Sequence, residues 1–209
     1  MPASPSSFRH FLLTIVCGVL LGCSATSLAA GQTLPLDARA SSLAFVGDAF
    51  MHSFHGEARN FTGSATLESG ANPPVQRATL HFKTAALTTF NNDRDKKMWE
   101  WLKIDAHPEA TFTLESVKPI EGDGQKADAA HPARFQVAGT LTLNGVKQAV
   151  AGTAQGWREK DRLIVSGNTV LDTLKYGLPQ IRQAFLTVGT NVKTSYRFTF
   201  ILPAEYAAK

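Results

Sequence analysis

The chain has 209 residues, 21 basic and 17 acidic side chains, and two cysteines, Cys17 and Cys23. Because both cysteines precede residue 30, the rest of the chain offers no disulfide, no cysteine-ligated zinc and no cysteine nucleophile. The net charge of +4 comes without the basic stripe that predicts nucleic-acid binding, so that class of partner is excluded. After residue 30, no apolar stretch reaches the length of a membrane-spanning helix.

Residues 1–30 predict a secretory signal peptide. Arg9 makes the start weakly basic, residues 11–22 form an apolar run too short to span a bilayer, and small residues follow. Leu20-Leu21-Gly22-Cys23 also resembles a lipobox, which leaves open a lipoprotein signal over residues 1–22 with a lipidated Cys23. Either signal predicts export, to the periplasm or to a membrane-anchored form facing it. Residues 31–209 are then one domain, long enough for a single hydrophobic core.

Most segments after residue 34 alternate apolar and polar side chains, as half-buried strands do. Turn sequences separate these segments about every ten residues, and Asn144-Gly145 is typical of a two-residue type I′ hairpin turn. The pattern predicts about eight antiparallel strands and little helix, which is typical of all-β barrels. The chain ends on a strong strand at residues 194–202, which could pair with the first strand and close the barrel.

One segment, residues 91–112, interrupts the alternation with helix signals. Asn92 or Asp93 could cap the start, and Met98, Trp101 and Leu102 share one face. Pro108 prevents the helix from continuing. We therefore expect a short helix at about residues 93–104 that covers one end of the barrel.

The order and spacing of several motifs resemble the YceI-like family, also called the polyisoprenoid-binding or lipid-binding YceI domain. The resemblance extends over essentially all of residues 31–209. The motifs are Ser42-Leu43-Ala44-Phe45, Phe61-Thr62-Gly63, Asp93-Arg94-Asp95-Lys96-Lys97-Met98 with Trp101-Leu102, His107-Pro108-Glu109-Ala110-Thr111-Phe112, the hairpin at 137–146, and Asp172 with Tyr176-Gly177.

The resemblance implies a closed, eight-stranded, lipocalin-like antiparallel barrel that holds an isoprenoid or other amphiphilic chain in its lumen. Two departures, the bulky stretch at residues 50–55 and His107 in place of the usual aromatic residue, mean that ligand identity does not carry over. The head-group candidates are His55, Arg94 and Tyr176. The apolar candidates for the lumen are Phe45, Phe61, Phe82, Met98, Trp101, Leu102, Phe112, Phe135, Leu141, Leu143 and Phe198.

Two sets of polar residues have both a functional and a structural interpretation. His52 and His55 could share a metal ion, but no further ligand motif accompanies them, so they fit polar positions at the cavity mouth or on the surface. Asp93, Arg94 and Asp95 could form an acid–base site with His107. A better explanation is that an aspartate caps the helix and that Arg94 pairs with a carboxylate to fix the helix to the barrel. We predict no catalytic residue, metal or cofactor.

The resulting function hypothesis is an exported, non-enzymatic lipid-binding protein. Its ligand would be a polyisoprenoid, quinone or fatty acid or amide, held for transport, storage or sequestration. The alternatives are a periplasmic accessory to a membrane redox system of cytochromes or quinones, and a small barrel hydrolase or isomerase. Contact with membrane surfaces and formation of a homodimer are left open.

Overall fold

A computed structural model describes residues 31–49, 52–68, 71, 74–122, 126–183 and 186–204. The predicted signal peptide and Cys23 lie outside these residues. One helix, α1 (Asn92–Leu102), accompanies strands β1 (Gln32–Pro35), β2 (Ser42–Ala49), β3 (His52–Ala58), β4 (Thr62–Leu67), β5 (Val75–Lys83), β6 (Leu87–Thr88), β7 (Glu109–Glu121), β8 (Ala133–Leu143), β9 (Val146–Glu159), β10 (Arg162–Asp172), β11 (Arg182–Gln183) and β12 (Leu186–Ile201). Short 3-10 turns occupy Ala38–Ala40, Thr84–Ala86 and Thr173–Tyr176.

All the strand pairings are antiparallel, which confirms the predicted all-β antiparallel fold with one short helix. The sheet runs in the order β1-β4-β5-β7-β8-β9-β10-β12-β2-β3-β6, and β11 pairs with β12. Leu36, just after β1, forms an isolated bridge with Phe200 of β12. Because β1 is first in the sheet order and β12 eighth, this bridge requires the sheet to curl.

The described residues contain twelve strands, whereas the sequence predicts about eight. Asp37 accounts for one difference. Its side chain caps the 3-10 turn at Ala38–Ala40, which divides the predicted first strand, residues 34–46, between β1 and β2. Two further strands, β6 and β11, have only two residues each, too few to show a period in the sequence. Among the described residues, no helix is both long and apolar enough to span a membrane.

The predictions for the hairpin turn after β8 and for the bounds of α1 differ in outcome. The hairpin turn at Asn144 and Gly145 is confirmed, with φ values of 50° and 73° between the paired residues Leu143 and Val146. The helix begins and ends slightly earlier than predicted. Asn91 is its cap, since the Asn91 side-chain oxygen accepts the N–H of Arg94 at 3.0 Å.

Helix α1 ends at Leu102 because the next residue, Lys103, is left-handed with a φ of 53°. Its N–H still donates to the carbonyl of Glu100, which closes the last turn. The helix therefore stops six residues before Pro108, so that proline is not the cause of its end.

Three clusters of buried side chains form the core. We call them the strand cluster, the helix cluster and the Trp157 cluster. Their buried members are, respectively, Leu34, Ala65, Leu67, Leu80, Leu163, Phe200 and Leu202; Leu102, Leu141, Tyr176 and Leu178; and Ala127, Ala133, Phe135, Trp157 and Ile164.

Candidate ligand cavity

A cavity of about 270 Å³ lies inside the curled sheet. Its lining includes Leu80 and Phe200 of the strand cluster and Leu102 and Leu178 of the helix cluster. Phe112 also lines it and packs against both clusters. The cavity is thus enclosed by two parts of the core rather than by loops on the surface.

Ten of the eleven apolar residues predicted for the lumen line this cavity. Their binding role stays a prediction. They come together from six elements of the chain and from Phe61, which directly precedes a seventh, β4. They are Phe45, Phe61, Phe82, Met98, Trp101, Leu102, Phe112, Leu141, Leu143 and Phe198.

Phe135 is the exception, and its placement corrects the predicted lumen. It belongs to the Trp157 cluster, and its ring lies against Gly156, where a Cβ atom would come within 3.1 Å of it. Its neighbour on the same strand face, Val137, lines the cavity. Phe135 therefore lies on the predicted face beside the cavity-lining Ala154, but its ring lies towards Gly156 and does not line the cavity.

The three residues predicted to contact the ligand head group lie in different places, and only one of them lines the cavity. Tyr176 lines the cavity. His55 is exposed and pairs with Val46, which follows the cavity-lining Phe45, so His55 lies on the outer face of the sheet. Arg94 is not among the described lining residues. It contacts Phe54 instead, with its guanidinium carbon 5.4 Å from the ring centre.

The structure does not bring together the residues of the possible histidine metal site or of the possible acid–base site. His52 and His55 lie three residues apart on β3, so their side chains point to opposite faces of the sheet. Asp95 accepts hydrogen bonds from Thr88 and Thr89, whereas the ring of His107 lies beside Gly145. No group of three or more metal-ligating side chains occurs among the described residues.

Helix α1 is held over the cavity by hydrogen bonds on two sides. On the first side, the buried carboxylate of Asp95 accepts the hydroxyl of Thr88 at 2.7 Å and both the N–H and the hydroxyl of Thr89 at 2.7 and 2.5 Å. Arg94 donates to the hydroxyl and carbonyl oxygens of Thr89 at 2.8 and 2.7 Å. Arg94 thus fixes the helix as predicted, but its acceptors are Thr89 oxygens rather than a carboxylate.

Two indole N–H groups complete the attachment. Trp99 donates to the carbonyl of Leu87 at 2.9 Å, and Trp101 donates to the carbonyl of Pro179 at 2.7 Å. Only Trp101 of these two lines the cavity. The helix therefore bridges the segment at β6 and the segment after the 3-10 turn at Thr173–Tyr176, with Trp101 facing the lumen.

Several aromatic rings lie against glycines on neighbouring strands. A Cβ atom on Gly56 would collide with the ring of Phe45, one on Gly139 with Phe112, and one on Gly167 with the hydroxyl of Tyr196. Because these glycines have no side chain, the rings occupy the wall and leave the centre open.

The sequence prediction missed part of the lining. Tyr196 stacks on Phe198 with ring centres 5.3 Å apart, and the hydroxyl residues Thr169, Thr173 and Thr194 lie on the same side of the cavity. Alternation along β10 and β12 was a signal that could have found them, but polar side chains at those positions fit an outward face equally well.

The described lining contains no Asp, Glu, Lys, Arg, His or Cys. Its two ionisable groups are the hydroxyls of Tyr176 and Tyr196, and burial raises the pKa of both above the ordinary 10.0. Both therefore remain neutral at pH 7. Such a lining suits the burial of an apolar chain and offers no acid–base pair among the described residues.

The comparisons with known proteins agree with this geometry. A family model described as the YceI-like domain matches residues 35–200. A UPF0312 protein of Photorhabdus laumondii is 30% identical over 153 residues, which cover 70% of this chain and 72% of the relative. Protein YceI of Salmonella arizonae is 33% identical over 98 residues, which cover 46% and 45%.

Two solved structures share the fold. BcnA of Burkholderia cenocepacia has a TM-score of 0.66 at 14% identity, covering 78% of this chain and 98% of that one. A polyisoprenoid binding domain from Saccharophagus degradans has a TM-score of 0.61 at 18% identity, covering 81% and 98%. At such identities the likeness concerns the fold alone. With the match over residues 35–200, however, the conclusion is direct: the chain belongs to the YceI-like family.

Proposed function

We propose that this protein is an exported, non-enzymatic lipid-binding protein that holds an isoprenoid-type or other amphiphilic chain in its cavity for transport, storage or sequestration. The observation that carries the proposal is the cavity of about 270 Å³ whose described lining has no charged side chain. Transfer of an apolar chain from water into such a space is favourable by about 0.8 kcal/mol per CH₂ group.

The family supports the same ligand class. The Saccharophagus degradans domain of the same fold is a polyisoprenoid binding domain. The extension to this chain rests on its own lining, in which ten predicted lumen residues come together. A polyisoprenoid, a prenylated quinone and a fatty acid or amide all present the long apolar chain that such a lining favours.

We also propose that the sheet closes as a barrel of eight strands, β1, β4, β5, β7, β8, β9, β10 and β12. These follow one another in the sheet order, and the bridge between Leu36 and Phe200 supports contact between the first and the last. The hydrogen bond from the N–H of Asp37 to the carbonyl of Thr199, at 2.8 Å, supports the same closure.

Export is the third part of the proposal and rests on residues 1–30, with the lipidated Cys23 as its alternative. The intact mass of the protein purified from its native host distinguishes the two, because a start at Gly31 and a lipidated start at Cys23 differ by eight residues and the lipid. Retention of residues 1–30 in a cytoplasmic fraction would contradict both.

The decisive experiment for binding is organic extraction of the protein purified from its native host, followed by mass spectrometry. We expect a prenyl or acyl chain in near-stoichiometric amount. Repeated preparations without lipid, together with failure to bind geranylgeraniol in vitro, would overturn the proposal.

A further inference from the structure

The wall of the cavity has a slit between β9 and β10. These strands pair from Glu159 and Arg162 as far as Thr153 and Asn168, where their pairing ends. Both strands continue beyond that point. There β9 is paired only with β8, as far as Val146, and β10 is paired only with β12, as far as Asp172. We call the space between residues 146–152 and residues 169–172 the lateral slit; all of its residues are described.

The cavity reaches this slit from inside. Its lining includes Val150 and Gly152 on one lip and Thr169 and Leu171 on the other. A Cβ atom on Gly152 would meet no side chain closer than Thr169, at 4.0 Å. The nearest backbone atom would be the carbonyl oxygen of Asn168, at 3.3 Å, so the backbone of β10 and not a side chain borders the cavity at Gly152.

Outside the slit lies a polar recess of about 300 Å³. Its polar side chains include Gln148 on β9, Lys175 and Asp172 around the 3-10 turn, and Asn191 on β12. The recess shares Thr169 and Tyr176, among other residues, with the cavity lining. The apolar cavity and the polar recess therefore meet across the slit.

The charges of the recess balance. It has one ammonium group, on Lys175, and one carboxylate, on Asp172. The carboxylate accepts the N–H of Leu174 at 3.1 Å, and the amide of Gln148 donates to the carbonyl of Lys175 at 2.8 Å. A space with amides, hydroxyls and no net charge suits a head group that donates and accepts hydrogen bonds but carries no charge.

We propose that the bound amphiphile lies with its apolar chain in the cavity and its uncharged polar head (a hydroxyl, carbonyl or amide) in the recess outside the slit between β9 and β10. This inference rests on the proposed function, because it concerns where the head of the same ligand goes. We expect an uncharged head to be preferred over a phosphate or carboxylate, because the carboxylate of Asp172 offsets the ammonium group of Lys175 and leaves the recess without a net attraction for an anion.

Three probes with the same prenyl chain test it: geranylgeraniol, geranylgeranyl phosphate, and the hydrocarbon in which hydrogen replaces the hydroxyl. Equilibrium dialysis of the radiolabelled probes against the full chain gives their affinities. We expect the alcohol to bind about tenfold more tightly than the phosphate, and more tightly than the hydrocarbon.

Two variants alter the recess without touching the cavity lining. Ala149→Trp fills the recess, and Asn191→Leu removes an amide from it. Their matched controls are Ala44→Trp and Ser195→Leu, which lie on the outward face of paired strands and in neither space. We expect the recess variants to bind the alcohol with an affinity within about twofold of that for the hydrocarbon, while the controls keep the wild-type difference in affinity.

The outcomes separate the two proposals. A wild-type head-group preference that survives in both recess variants would place the head elsewhere and overturn this inference, although chain binding would stand. Tighter binding of the phosphate than of the alcohol would overturn the uncharged head. If none of the three probes binds the wild-type chain, the proposed function fails and this inference fails with it.

Discussion

The ring of Phe112 on β7 lies across Gly139 of the neighbouring strand β8, where a Cβ atom would come within 2.8 Å of the ring. Phe112 also packs against both the strand cluster and the helix cluster, so its position affects the packing of both. One glycine without a side chain thus sets how far an aromatic ring projects into the lumen.

We therefore expect Gly139→Ala to destabilise the fold by about 1–3 kcal/mol. The added methyl group would collide with Phe112 and also with the backbone carbonyl oxygen of Thr113, which cannot rotate away. Gly152→Ala is the control, since its closest approach is 3.3 Å to a carbonyl, and it should cost under about 1 kcal/mol. Urea unfolding measures both, and equal costs for the two variants would contradict the packing argument.

The apolar wall gives a second prediction. Leu114 lines the cavity and is only half-buried, and it belongs to none of the three clusters. Leu114→Gln should therefore weaken geranylgeraniol binding about tenfold with little loss of stability, because an apolar contact is replaced by a polar group that needs water.

Ile120→Gln is the matched control for that substitution. Ile120 lies on the same strand, is 50% exposed, and is outside the cavity lining. The control should leave binding unchanged. A similar loss of affinity in both variants would mean that the effect comes from β7 as a whole and not from the cavity.

Alternation in the sequence was sufficient to place strand residues such as Phe45, Phe82 and Phe112 on the cavity side, because a period of two residues decides which face of a strand points inward. It could not place Phe135 correctly. Phe135 and Leu141 share one face of β8, but alternation carries no information on which way a ring leans along the sheet. The ring of Phe135 lies towards Gly156 and the Trp157 cluster, and of the two residues only Leu141 lines the cavity.

The lateral slit was also beyond sequence reasoning. Residues 146–152 and 169–172 read as ordinary strand segments whether or not they pair with each other, since each has a partner on its other side. Asp95 shows a similar limit. A carboxylate in the first turn of a helix is usually exposed, and its burial depends on Thr88 and Thr89, which precede the helix.

That buried carboxylate leads to a prediction on pH. Burial by itself would raise the pKa of Asp95, but the hydrogen bonds from Thr89 and Thr88 and the charge of Arg94 together hold it below its usual 3.8. A lowered pKa in the folded state stabilises the protein above about pH 4. This contribution is lost as the pH falls through the folded-state pKa.

Asp95→Asn should cost about 1–3 kcal/mol at pH 5, because the amide cannot accept all three hydrogen bonds. The variant should also lose less stability than the wild type between pH 5 and pH 3. Asp93→Asn, at an exposed position in the same turn, is the control and should cost less than about 1 kcal/mol. Parallel pH profiles of the wild type and Asp95→Asn would contradict the prediction.

The last prediction locates the chain by contact quenching of tryptophan fluorescence. Trp101 lines the cavity, whereas Trp157 lies in its own cluster. A brominated prenyl alcohol should therefore quench mainly Trp101. Trp101→Phe should abolish most of the quenching while keeping an aromatic wall.

Trp157→Phe is the matched control. Among the described residues, the buried Nε1 of Trp157 has no hydrogen-bond partner, so its loss leaves no orphaned acceptor, although the contact with Arg197 is lost. This variant should keep the wild-type quenching. If the quenching disappears with Trp157 and survives without Trp101, the chain binds beside Phe135 after all, and the cavity under α1 is not the lipid site.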